Sequence, residues 1–566
     1  PFYRAALFPS LVAWLLKAGV SATQLPFASR LLNGVLHLAS TGLVWMIAAH
    51  VWRTPSSAAL AAVLFGMNPV VLHFAGDPLD LSLAMSFMLG GVLASLHALD
   101  GTPASRVMAM AAGILLASAS LARPQLVVLL PMWILWLASH RGVRRLLAWS
   151  MPPMLLVLAL MGAANLAVGG AFQVLPWQGA YNLWAANGPD ANGRYFVQRE
   201  RQAVYREGGN PARIESERRY RREQPGAPDD YASMSRYWQQ RTLAHVRAEP
   251  WTWLKLVASK AWYLLNDFEQ YDIKTYHFHK ARSPWLRWNP LGWSWLLAGA
   301  SAALVMHARN RRAWTVAVFA ACYAAGLLLA YVSARFRLPL VPLLAVLAGG
   351  LLHGAPRAAS RRALATALLL FGLARLPLPP GEAERTVVQD YLLNARAAAV
   401  LGFTDEALRD AHAALTRAPG DAAARELLCV AAFNAWLRAA DYRREGPTQA
   451  CAEAAADSPS AQRALGVLWW RAGRGDEARA LWRALVIANG DERDAALAAL
   501  VMVDGARHRA SLERGRMAQW SDELLLALAL RGDPQARVAL ASRMSSAEIA
   551  RQTAALTALF APPSER

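Results

Sequence analysis

The chain has little cysteine and little charge. Its three cysteines, in 566 residues, show neither metal-ligand spacing nor a disulfide-dense framework, which argues against a zinc module and against a small cross-linked secreted domain. Charged residues make up only 17% of the chain against 55% hydrophobic residues. A chain so apolar and so long is more than one ordinary domain and is not a pair of soluble ones. Acidic residues are also short, 39 against 59 lysines and arginines, for a net charge of +20. That surplus would suit nucleic acid, yet the arginines fall mostly between apolar runs and in one polar loop. No aromatic-interleaved RNA module accompanies them, so no nucleic-acid partner is expected. An initiator methionine is lacking as well: the chain starts at Pro1, and a signal or first membrane span is expected upstream of it.

Apolar runs are what the chain does have. A span needs about 20 mostly apolar residues, somewhat fewer inside a tightly packed bundle. Ten stretches qualify, near 31–51, 57–75, 79–99, 107–122, 125–139, 146–169, 290–307, 313–332, 338–353 and 363–378. Open strands in lipid would leave backbone groups unpaired, so the spans are expected to be helices and the fold class all-α. Many of the 22 tryptophans sit beside these runs, where an amphipathic ring rests at the water–lipid boundary. Alternate connections are rich in arginine: Arg53; Arg106; Arg141, Arg144 and Arg145; Arg309, Arg311 and Arg312; Arg357, Arg361 and Arg362. Because such residues collect on the cytoplasmic side, segment 1–30, the links at 74–80, 123 and 333–337, the loop 170–289 and everything after 379 are expected outside. The expected location is therefore a bacterial inner membrane, with the large loop and the tail extracytoplasmic.

Two domains are expected, a multi-span body over 1–380 and an Ala-rich helical tail over 381–566. In the tail, Gly402, Ala407, Ala414 and Pro419, and later Leu465, Gly466, Ala478 and Trp482, match the small-residue spacing of tetratricopeptide units, whose paired helices need small residues where they cross. From Ala407 to Ala478 is 71 residues, close to two periods of about 34. A generic Ala-rich bundle is the plainer alternative. Cys429 and Cys451 fall in the middle unit, and an oxidising compartment would permit a bridge between them.

The loop 170–289 is too long for a connector and too polar for lipid, so a functional subdomain is expected. Its first part, with Trp177, Gly179, Tyr181, Asn182, Trp184, Asn187 and Gly188, reads as turns able to fold around a ligand. Its second, 196–248, reads as a basic, solvated helix pair without a clear apolar face. Its third, Trp251 to Leu265, alternates apolar residues with Lys255 and Lys260 like an interfacial helix. That helix leads into Asp267, Glu269 and Asp272. Arg123, Arg335 and Arg337 stand on the side where the orientation rule expects few positive charges. A guanidinium matches phosphate, and membrane-level charge marks a functional site by default; snorkelling to headgroups is the alternative for each. Asp77 and Asp80 lie on the same side. A carboxylate can take a proton from an attacking hydroxyl while arginine stabilises a departing phosphate, which describes glycosyl transfer from a lipid phosphate. Asp80 reads equally well as a favourable helix N-terminal charge, and the trio as a solvated loop. His277 and His279, one residue apart, would share a face of a strand, but no further ligands point to a metal.

These stretches resemble the GT-C membrane glycosyltransferases, specifically the bacterial group similar to dolichyl-phosphate-mannose protein mannosyltransferases (glycosyltransferase family 39 and its relatives). The resemblance covers roughly 1–375. It is carried by Pro1, Phe2, Tyr3 and Arg4 with Leu7, Phe8 and Pro9; by Asn68 and Pro69 leading to Asp80; by Arg123 and Pro124; by Tyr181 and Asn182 with Asn187 and Gly188; by Lys260 to Glu269; and by Arg335, Phe336, Arg337, Leu338, Pro339 and Pro342. It implies an inverting transfer from a polyprenyl-phosphate-linked sugar to a glycan, lipid or protein acceptor. It matches Arg4 to a basic residue near the donor phosphate; together with the residues read above, Arg335, Arg337, Arg4 and Arg123 are expected at the lipid phosphate, Asp80, Glu269 or Asp77 in catalysis, and Tyr181, Asn182 and Asn187 as loop contacts, with no cofactor expected and no metal indicated. The family's usual catalytic carboxylate would lie upstream of Pro1, and Ala6 replaces the usual proline beside Arg4. Two other expectations stay open: an O-antigen ligase or polymerase using a lipid diphosphate, and a non-catalytic scaffold presenting the repeats to a protein partner.

Overall fold

The structure is a computed structural model that describes residues 5–139, 142, 144–194, 211–272, 274–354, 357–379, 382–439, 447–488, 492–505 and 520–561. Among these residues it is helical throughout, with one isolated parallel bridge between Arg194 and Val332. Two compact units result, Pro1–Leu378 and Pro379–Arg566.

The first unit runs α1 (Leu7–Lys17), α2 (Leu25–Trp52), α3 (Pro55–Gly66), α4 (Pro69–Ala75), α5 (Leu81–Leu99), α6 (Ser105–Ala122), α7 (Leu129–Ser139) and α8 (Leu147–Gly169). The long loop contributes α9 (Gln178–Asn187), α10 (Pro211–Glu223), α11 (Tyr231–Ala248), α12 (Pro250–Leu265), α13 (Tyr276–Arg282) and α14 (Pro284–Trp288). The body closes with α15 (Trp293–Met306), α16 (Arg311–Leu329), α17 (Ala334–Arg337), α18 (Leu340–Ala348) and α19 (Arg357–Ala374).

All ten expected spans fall on helices, but fewer are membrane-long. Among the described residues five helices are long and apolar enough to cross: Leu25–Trp52, Leu81–Leu99, Ser105–Ala122, Arg144–Gly169 and Arg311–Leu329. The bent pair α3 and α4, which meet at 54°, makes six if counted as one span. Helix breakers decide the difference, because an apolar run does not by itself fix a helix length. Pro69 starts α4 after a break at which the Asn68 carboxamide oxygen accepts from the Val70 and Val71 amides, both at 3.1 Å. The run 338–353 holds only α18, nine residues long and buried on almost every side, followed by a 3₁₀ turn. A helix apolar all round is one surrounded by other helices. The run 363–378 lies on α19, which opens with Arg357, Arg361 and Arg362 and ends at Ala374.

Small residues set the crossings. A Cβ on Gly113 of α6 would lie 2.3 Å from the Ser150 carbonyl oxygen of α8, a contact that lets two backbones approach as membrane helices do. Beside it the Trp133 indole donates to the Ser150 hydroxyl at 2.9 Å.

In the loop the structure corrects two expectations. The segment expected as turns is α9, a helix of ten residues. The stretch expected to lack an apolar face supplies Tyr220, Met234 and Trp238 to a buried cluster with Tyr181 and Trp184. Aromatic residues spaced among arginines hid that face. α12 does present Trp251, Leu254 and Leu265 outward.

The second unit consists, among the described residues, of ten helices from Glu382–Leu401 to Ser546–Phe560. In it Ala407, Ala411 and Ala414 are buried, and Gly466 accommodates the Trp482 indole, whose ring nitrogen would sit 2.3 Å from an added Cβ. Cys429, on helix Ala422–Ala439, is disulfide-bonded to Cys451, on helix Thr448–Ala455.

Candidate functional site: an arginine and carboxylate network at the loop end of the bundle

The ends of α5, α6 and α16 joined to the long loop carry a chain of charges. It starts where α2 reaches the turn before α5: the Arg30 guanidinium donates to the Gly76 carbonyl at 3.1 Å, and the Asn33 amide to the Asp77 and Leu79 carbonyls at 2.5 and 3.2 Å. That clamp fixes Asp77 and Asp80. Asp80 stands directly before α5, but its side chain caps no amide there. It pairs instead with Arg123, at the end of α6, at 3.3 Å. Arg123 is only 2% exposed; it also donates to the Arg335 carbonyl at 3.3 Å and lies 4.9 Å from the Phe336 ring centre.

Arg335 and Arg337 flank Phe336 on α17, a single turn whose start is fixed by the Ser333 hydroxyl accepting from the Phe336 amide. Their guanidiniums meet the carboxylates that follow α12. Arg335 pairs with Asp272 at 2.9 Å, and Ser333 donates to the other oxygen of Asp272 at 2.5 Å. Arg337 pairs with Glu269 at 2.5 Å, donates to the Asn266 carbonyl at 2.5 Å and lies 4.4 Å from the Trp293 ring centre. Asp267 pairs with Arg375 at 3.4 Å and accepts from the Ser294 amide at 2.7 Å. The trio is therefore no solvated loop: Asp272 and Glu269 are buried, each against an arginine.

Burial pushes the Glu269 carboxyl up, against the pull of the Arg337 guanidinium beside it. The Glu269 backbone amide donates to the His277 ring at 3.1 Å, and burial holds that imidazole down at about 4, in the neutral form such acceptance requires. His277 and His279 lie on helix α13, not on a strand, and so point different ways. His277 stacks on Phe268 with ring centres 4.3 Å apart, whereas His279 meets His73 at 4.8 Å. Among the described residues no group of three or more His, Cys, Asp and Glu side chains converges as a metal site.

The half-exposed part of the network is smaller. It comprises Asp267 with Arg375, Asp80, Asp77 with Lys274 at 2.5 Å, and the edge of Arg335. Lys274 was not singled out in the sequence, although it stands two residues after Asp272. Asn33 was missed too; its signal was a polar stripe, Ser29, Asn33, His37 and Ser40, all buried on one face of an otherwise apolar span.

The loop residues part company. Tyr181 is buried in the aromatic cluster, and burial together with Glu215 pushes its phenol up. Asn182 is half-buried on α9. Asn187 is a hub: its oxygen accepts from the Lys260 ammonium at 2.8 Å and from the Trp253 indole at 3.1 Å, and its nitrogen donates to the Leu329 carbonyl at 2.8 Å. Lys260 is thus wholly buried with a neutral partner, which corrects its reading as an interfacial charge; burial brings its ammonium down to about 8. Arg4 lies outside the described residues. Comparison of the chain with protein-family models, with curated proteins and with solved structures finds no match.

Proposed function

We propose that this membrane protein is a glycosyltransferase that moves a sugar from a polyprenyl-phosphate donor to an extracytoplasmic glycan, lipid or protein acceptor. The observation that carries the proposal is the run of paired charges, Asp77 with Lys274, Asp80 with Arg123 and Arg335 with Asp272, at one end of an apolar helix bundle. Charges at membrane depth are expensive and are kept where a substrate needs them. The half-exposed Asp80 would accept the proton of the acceptor hydroxyl as its oxygen bonds to the anomeric carbon. The bond from that carbon to the phosphate oxygen breaks, and Arg335 and Lys274 would take up the charge of the leaving lipid phosphate. Arg123, Arg337 and Glu269 are buried against their partners, so their role in this reading is to position the exposed groups. The tail, read as tetratricopeptide-like, would engage an acceptor or a protein partner.

The complete pairing of these carboxylates with cations also favours one rival, a non-catalytic scaffold whose ion pairs are structural. Asp80→Asn and Arg335→Ala, assayed in the full-length protein for transfer from a polyprenyl-phosphate sugar, separate the two. Each is expected to lower turnover about a hundredfold or more. Transfer at the unaltered rate in both variants would remove the site assignment.

A further inference from the structure

The network leaves one large feature of the long loop unused. Where α8 ends at Gly169 and the chain turns towards α9, a cavity of about 320 Å³ opens between that turn and helices α10 and α11. Its wall carries the rings of Trp177 and Tyr231, near parallel at 27° with centres 6.4 Å apart, and the polar groups of Glu217, Arg221, Asp229 and Asp230. The volume is at the small end of the roughly 300–1,000 Å³ range of ligand pockets.

The polar groups are held in place. Arg221 grips Asp229 through its Nε, at 3.1 and 3.0 Å from the two carboxylate oxygens, and through a terminal nitrogen at 2.9 Å. The Tyr231 hydroxyl donates to Glu217 at 3.1 Å, and Asp230 caps α11 by accepting from the Ser233 amide at 2.9 Å. Each carboxylate keeps lone pairs over, and Arg221 keeps N–H groups over. Rigid aromatic faces beside fixed acceptors and a fixed donor suit a ring that is apolar on its faces and hydroxylated on its rim. Three carboxylates to one arginine on the wall disfavour an anion, a lipid phosphate included.

We infer that this cavity is a saccharide subsite for a non-anionic, hydroxyl-bearing sugar ring; that the ring belongs to the acceptor rests on the transferase reading above. The test is calorimetric titration of the full-length protein in lipid nanodiscs with three probes: maltotriose, a glucosamine trimer and trigalacturonate. Saturable binding is expected for the neutral or the amine-bearing trimer, with trigalacturonate weaker. Trp177→Ala is expected to weaken that binding about tenfold or more. Arg221→Ala and Asp229→Asn, at half-exposed positions whose loss leaves the aromatic cluster intact, are expected to do the same, while Trp288→Ala, at an exposed tryptophan outside the cavity, leaves it unchanged. No saturable binding of any probe, tightest binding of trigalacturonate, or equal binding by all four variants would overturn the inference. The probes lack a lipid phosphate, so the titration is independent of transfer. Sugar binding without transfer counts against the transferase reading alone; transfer without sugar binding counts against the cavity alone.

Discussion

A wholly buried lysine facing a carboxamide is the residue whose energetics are most exposed to test. Lys260 is charged at neutral pH, yet its native environment brings the ammonium down to about 8, about 3 kcal/mol of penalty against the charged form. Below pH 8 the penalty is fully present, because the group is protonated in both the native and the unfolded chain. Between pH 8 and the ordinary lysine value near 10.4 the unfolded chain binds more protons than the native one, so stability rises with pH across that window. The midpoint of thermal unfolding should therefore climb from pH 8 to about 10 in the wild type more steeply than in Lys260→Met. Identical pH profiles would show that the ammonium is solvated. The sequence showed Lys260 in an alternation of apolar and basic residues that reads as a surface helix. Its burial depends on Asn187, 73 residues earlier, a pairing that local pattern does not reveal. Arg335 and Arg337 were legible, since arginines at an apolar run are conspicuous; that each has a buried carboxylate partner was not. For Arg337, truncation to alanine should cost about 3–5 kcal/mol, because it leaves Glu269 buried and unpaired, and a correspondingly lower denaturation midpoint would register it.

Elements follow the same division between local and long-range signals. Apolar runs told where helices lie, because lipid and core both demand internally bonded backbone. They did not tell how long each helix is, since α18 is enclosed by neighbours and the bend at Asn68 and Pro69 splits one run in two. Contact between elements is carried by glycine where no side chain can fit. At Gly113 an added Cβ meets the Ser150 carbonyl oxygen at 2.3 Å, whereas at Gly34 of α2 it meets nothing within 4 Å. Gly113→Ala should accordingly push α6 from α8 and destabilise the protein by about 1–3 kcal/mol, while Gly34→Ala should be neutral or slightly stabilising. Equal melting of the two variants would refute close packing of α6 on α8.

At the scale of the whole molecule the decisive matter is the side of the membrane on which the network and the tail stand. On the proposed reading, in which the arginine-rich links face the cytoplasm, both are outside, and the Cys429–Cys451 disulfide is compatible with an oxidising compartment. Closing a loop of 22 residues is worth about 3 kcal/mol in the chain-entropy description, so mild reduction of the full-length protein should lower the unfolding temperature of the tail helices without disturbing the membrane helices. A tail isolated from the cell with both thiols free would contradict the assignment. The central claim, that the charged network releases a lipid phosphate as it transfers a sugar, is met most directly by one measurement. The full-length protein, reconstituted in vesicles with a polyprenyl-phosphate sugar and an acceptor extract, is assayed for free polyprenyl phosphate and for glycosylated product together. The account predicts that the two appear in equal amounts and that Asp80→Asn suppresses both; free lipid phosphate that never exceeds the protein-free control would contradict it.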